Sequence, residues 1–134
     1  MLDYRQVHVK ALSPVLEEYP QIRLGYVFGS YLCREHFRDV DIAVLLDQDF
    51  PQESLERDGL GCRIGQALQL GCDVDLKIMN GAPIEFRYTI VRSGSLFFAR
   101  SERDRINFEI GVMDEFLDYR ETLSWFDTQG GASW

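Results

Sequence analysis

The chain is short of cysteine, histidine and positive charge. Its three cysteines, Cys33, Cys62 and Cys72, are an odd number without short metal-type spacing, so they argue against a disulfide framework and for a reducing compartment. Two histidines are present, His8 and His36. Neither has a partner nearby in sequence, and both read as structural or solvated. Fourteen Lys and Arg stand against twenty-two Asp and Glu, a net charge of −8. Direct nucleic-acid binding needs a basic face along the phosphates, and this balance argues against it. No apolar run reaches membrane-spanning length. The opening MLDYRQVHVK carries no signal-peptide core, so the expectation is a cytoplasmic protein without membrane contact. Repeats and low-complexity tracts are also missing.

What is there is enough for one domain. The chain has 134 residues and is 46% hydrophobic, which suits a globular core without staples. Residues 1–127 read as that domain and 128–134, rich in Gly and small residues, as a flexible tail.

Apolar spacing at Val9, Leu12, Val15 and Leu16 predicts a helix over about 4–19, ended by Pro20. Arg23–Phe28 predicts a strand, and the aliphatic run Asp39–Leu46 a second, buried on both faces. Leu60, Ile64 and Leu68 suggest a helix over 52–69. A third strand, Asp73–Met79, leads into an Asn80-Gly81 turn, and Pro83 suits the start of a helix ended by Gly94. Leu96–Ala99 is a fourth short strand. Ser101 fits as the cap of a long helix over 102–126. This order predicts an α+β (α/β-like) domain, one small mixed sheet flanked by helices.

The chemistry concentrates in GSYLCREHFRDVDIAVLL, residues 29–46. Gly29 lets the backbone approach a phosphate, and Ser30 offers a hydroxyl beside the turn's N–H groups. Strand alternation puts Asp39 and Asp41 on one face. Two carboxylates there repel each other unless they are solvated or hold a cation, and Mg²⁺ takes carboxylate oxygens together with substrate phosphates. CDVDLKIM repeats the pattern with Asp73 and Asp75. If its strand neighbours the second one, a third carboxylate completes a site for two metals; the residues alone leave open which of the two supplies it. Lys77 shares their face and reads as offsetting their charge. Arg38 reads as a surface residue.

Taken together, these segments resemble the minimal nucleotidyltransferases of the DNA-polymerase-β-type superfamily, more closely the MNT partner of HEPN/MNT toxin–antitoxin pairs. GSYLCREHFRDVDIAVLL is similar to the family's signature, VDLKIMNGAP to its third-Asp strand, and FRYTIVRSGSLFFARSERDRINFE to the segment that follows. The resemblance implies the nucleotidyltransferase fold. It implies that Gly29 and Ser30 hold the triphosphate of ATP, and that Asp39, Asp41 and Asp75 bind two Mg²⁺ ions, Asp75 also helping to activate the acceptor hydroxyl. The implied reaction moves AMP from ATP to a tyrosine hydroxyl of a HEPN-type RNase toxin, bound as a hetero-oligomer, with release of pyrophosphate. Where the family has Ala-Arg-Gly after Gly-Ser, this chain has Leu32-Cys33-Arg34, and its spacer is shorter. Two alternatives stand beside that reading: an antitoxin that neutralises by binding with little or no turnover, and an adenylyltransferase acting on a small molecule of the aminoglycoside type.

The run Arg100, Arg103 and Arg105 alternates with Glu102 and Asp104 and reads as a solvated helix start. In the last helix, Ile106, Ile110, Met113 and Leu117 form one stripe, and Phe108, Val112, Phe116, Tyr119 and Leu123 a second. Such an apolar surface is wider than one sheet contact needs: the helix is deeply buried, or part of it is a protein interface.

Overall fold

The computed structural model describes residues 12–28, 39–47, 63 and 73–128. Its elements run α1 (Ser13–Glu17), β1 (Ile22–Phe28), β2 (Asp39–Leu46), β3 (Asp73–Ile78), α2 (Ile84–Ser93), β4 (Ser95–Ala99) and α3 (Glu102–Thr128). The helix expected over 52–69 and most of the one expected over 4–19 lie outside the described residues. So do Gly29, Ser30, Arg38, the cysteines and the histidines.

The sheet is four-stranded and mixed, in the order β3-β2-β1-β4. β1 pairs antiparallel with β2 and with β4, and β2 pairs parallel with β3. The two aliphatic strands are therefore the central ones. Ile22, Leu24, Val27, Ile42, Ala43 and Val44 are fully buried, as continuous apolar strands require.

One sheet face carries Leu24, Tyr26 and Ala43, which pack with Met79 of the β3 end and Ile90 of α2; Phe86 and Phe108 close this core from the helices. Val112 of α3 is 2% exposed, and the rings of Tyr88 and Phe116 stack 3.6 Å apart to join α2 to α3. The opposite face receives α1. A Cβ on Gly25 would stand 2.7 Å from Leu16 Cδ1 and 3.0 Å from Phe97 Cζ, so the missing side chain lets the helix settle onto the sheet.

Local chemistry fixes the joints. Gly81 turns the chain after β3 with φ of 75°, a conformation that favours glycine. Its neighbour Asn80 acts as a substitute strand residue. The Asn80 amide donates to the Leu46 carbonyl and accepts from the Leu46 N–H, both at 2.8 Å. Pro83 is the N-cap of α2 rather than a residue of its first turn. Ser101 Oγ accepts the Asp104 N–H at 3.1 Å, the cap read from the sequence.

Arg100 departs from the expectation. Its guanidinium is no solvated helix start: it donates to the Tyr19 carbonyl at 2.8 Å, to Ile22 at 3.2 Å and to Leu16 at 3.3 Å. It also lies 4.9 Å over the Phe98 ring. The Leu16 and Tyr19 carbonyls already accept the N–H groups of Tyr19 and Ile22, and this long fork, reaching back from the end of β4, gives each a second donor. Arg105 stays local, paired with Glu102 and, at 3.0 Å, with Glu109.

Candidate nucleotidyl-transfer site

The candidate carboxylates gather at one end of the parallel pair. Asp39 registers with Asp73, and Asp41 with Asp75. Neighbouring strands lie about 4.8 Å apart, so the four positions form two adjacent rows on one sheet edge. Of these four side chains, those of Asp41 and Asp75 are described. Asp41 is partly buried and Asp75 is exposed. The Lys77 ammonium lies 3.6 Å from Asp75 Oδ1, as expected for a residue that offsets the local negative charge. With both groups about half exposed, the pair contributes little to stability.

The antiparallel partner of Asp41 is Phe28, the last residue of β1. Gly29 and Ser30 follow it directly in the chain. Phe28 therefore ends β1 directly opposite Asp41. The Phe28 ring meets Phe86 of α2 edge-on, with centroids 5.7 Å apart and planes at 83°, a favourable aromatic geometry. This pair puts an apolar wall beside Asp41. Sequence reading did not find Phe86, because the contact is tertiary; the position of Phe28 before Gly-Ser was the one available signal.

Two carboxylates on neighbouring strands, one partly buried and one exposed, suit a divalent cation that keeps waters and phosphate oxygens as its other ligands. Among the described residues no group of three His, Cys, Asp or Glu side chains forms such a site; Asp41 and Asp75 are two members of the expected set. Among the described residues, too, no helix is long and apolar enough to cross a membrane.

Sequence and fold converge on one class. The chain belongs to the polymerase-β-type nucleotidyltransferases: the family model described as Polymerase beta, Nucleotidyltransferase matches residues 10–103. No curated protein sequence matches the chain significantly. Solved structures share its fold. One is a complex of a tri-AMPylated Shewanella oneidensis HEPN toxin with an MNT antitoxin, whose matching chain has a TM-score of 0.68 and 22% identity, over 96% of this chain and 99% of that one. Another is the toxin–antitoxin complex MntA-HepT, with a TM-score of 0.67 and 21% identity over 95% and 99% of the two chains. A third, a toxin–antitoxin with AMP-PNP, has a TM-score of 0.65 and 23% identity over 98% and 100%.

Proposed function

We propose that this protein transfers AMP from ATP to a tyrosine hydroxyl of a HEPN-type RNase toxin in the cytoplasm, and so acts as the toxin's antitoxin. The observation that carries the reading is the register of Asp41 against Asp75, next to Asp39 against Asp73, in a chain of the nucleotidyltransferase family. A relative of the same fold stands in complex with a tri-AMPylated HEPN toxin, and another with an ATP analogue.

In the proposed reaction the tyrosine oxygen attacks the α-phosphorus in line. The bond from that phosphorus to the bridging oxygen of the β-phosphate breaks, and pyrophosphate leaves with the electron pair. Gly29 and Ser30 hold the triphosphate through backbone N–H groups and the hydroxyl. Asp39, Asp41 and Asp75 would hold two Mg²⁺ ions, which would supply positive charge to stabilise the transition state. Asp75 lies on the outer of the two strands and is open to solvent, where an acceptor can arrive; its carboxylate helps take up the hydroxyl proton. Lys77 holds Asp75 by charge.

The test uses ATP labelled at the α-phosphate, Mg²⁺ and the product of the neighbouring gene, taken as the proposed HEPN-type partner. Label passes to the HEPN protein with the wild type and not with Asp41→Asn. A tight complex without label would replace this reading with neutralisation by binding, and label on an aminoglycoside with the small-molecule enzyme.

A further inference from the structure

The last helix carries two apolar stripes, and the fold uses most of one, Leu123 at its far end being 41% exposed. Val112 is 2% exposed, while Phe108, Phe116 and Tyr119 are partly buried with it. The other stripe points away. Ile106 is 41% exposed, Ile110 57%, Met113 41% and Leu117 52%. At 3.6 residues per turn these four fall in one row along more than three turns. Scattered exposed apolar residues are ordinary, but a continuous row of large ones marks a contact surface.

Charge decides what covers it. Asp114, Asp118 and Glu121 are exposed along one flank of the row. A second copy of this chain would bring the same acidic flank and another net charge of −8, against which Arg103 and Arg120 are the exposed cations of α3, so self-packing sets mostly like charges together. Just beyond Leu117, a shallow open depression is lined by Asp118, Glu121, Thr122, Trp125 and Phe126. Carboxylates combined with aromatic rings make a seat for a guanidinium or ammonium group.

We infer that the Ile106-Ile110-Met113-Leu117 face of α3 is the docking surface for the HEPN-type partner, meeting an apolar helix face of that protein edged with Arg or Lys. The inference rests on the proposed function for the identity of the partner. An amphipathic helix laid against another, with anchors at i, i+4, i+7 and i+11, is a common mode of protein recognition. The site carboxylates sit on the β2–β3 edge, so this surface is separate from the chemistry and can be altered without touching it.

The experiment titrates the product of the neighbouring gene, taken as the HEPN-type partner, into wild type, Ile110→Asp and Asp118→Lys by calorimetry, with sedimentation of each form alone and labelled-AMP transfer alongside. Because Ile110 is exposed, Ile110→Asp keeps the wild-type circular dichroism. It weakens binding by at least about 100-fold, the scale of an interface hot spot. Asp118→Lys slows association and reduces its dependence on salt. Unchanged affinity and labelling in Ile110→Asp overturn the surface and leave the function standing. If the wild type neither binds nor labels the HEPN protein, the function falls and its named partner with it. A wild-type dimer that Ile110→Asp disperses overturns the inference in favour of self-association.

Discussion

Asp41 of β2 and Asp75 of β3 are register partners in the parallel pair of the sheet. With Asp75 exposed and Asp41 partly buried, neither carboxylate belongs to the core. Asp41→Asn and Asp75→Asn therefore change the melting temperature by no more than a few degrees, since a partly exposed charge contributes little to stability. Both lower nucleotidyl transfer by at least about 100-fold, the scale of losing a group that stabilises transition-state charge. A calorimetric scan and a transfer assay on the same preparations separate the two effects. Equal losses of stability and activity would mean that the pair is structural.

Tyr26 is a pH reporter for the body of the fold. Its hydroxyl donates to Glu109 Oε1 at 2.8 Å. Burial first, then that hydrogen bond and the charge of Glu109, push its pKa well above the ordinary tyrosine value. The folded state thus holds this proton more tightly than the unfolded chain does. The stabilisation is complete below pH of about 10, the unfolded value, and is lost as pH rises above it toward the folded value. In an ultraviolet titration of the phenolate band, Tyr26 ionises late and together with unfolding. Tyr26→Phe removes that late step and costs about 1 kcal/mol at neutral pH. Ionisation of Tyr26 near the ordinary value in the folded protein would contradict this.

Arg100 ties α1 to the sheet through the carbonyls of Leu16, Tyr19 and Ile22. Arg100→Lys lowers stability by about 1.5–3 kcal/mol in urea denaturation, because a single ammonium cannot span these acceptors. The contrast with Arg103→Lys, at an exposed site, is the control; that change is close to neutral.

Three glycine substitutions should separate by what an added methyl meets. At Gly94 the Cβ would stand 2.6 Å from the Ile90 carbonyl oxygen and 3.3 Å from that of Val27. Both are backbone atoms, so Gly94→Ala displaces the end of α2 and costs about 1–3 kcal/mol. Gly25→Ala meets side-chain ends at Leu16 and Phe97 and costs less. Gly111, inside α3, has nothing within 4 Å of such a Cβ, and Gly111→Ala raises stability by about 0.5–1 kcal/mol. Denaturant midpoints check the order.

Much of this was legible because local signals agree with the fold. Asp39–Leu46 appears as the strand read from its aliphatic run, and the Ser101 cap and the long helix after it stand as expected. β1 and β4 each begin one residue earlier than their apolar patterns, and β3 ends one residue sooner, because pairing rather than hydropathy sets strand ends. The family was legible through Gly-Ser, Asp-x-Asp and a later Asp.

Tertiary relations were not. The sequence places two Asp-x-Asp pairs, Asp39/Asp41 and Asp73/Asp75, at the starts of strands, but nothing in it states that those strands are neighbours. Arg100 lies in a mixed-charge run, and nothing local indicates that its partners are carbonyls some eighty residues earlier. The two stripes of α3 are visible as a pattern, but which one the sheet covers depends on how the helix is rotated against β1, β4 and α2.

The central claim is adenylyl transfer at the β2–β3 edge onto a partner's tyrosine. The most direct measurement is the intact mass of the HEPN-type partner after incubation with ATP, Mg²⁺ and each form of this protein. The wild type and Asp73→Asn should add a whole number of adenylyl groups to the partner, and Asp75→Asn none. A partner whose mass is unchanged by the wild type, or raised equally by wild type and Asp75→Asn, would contradict the account.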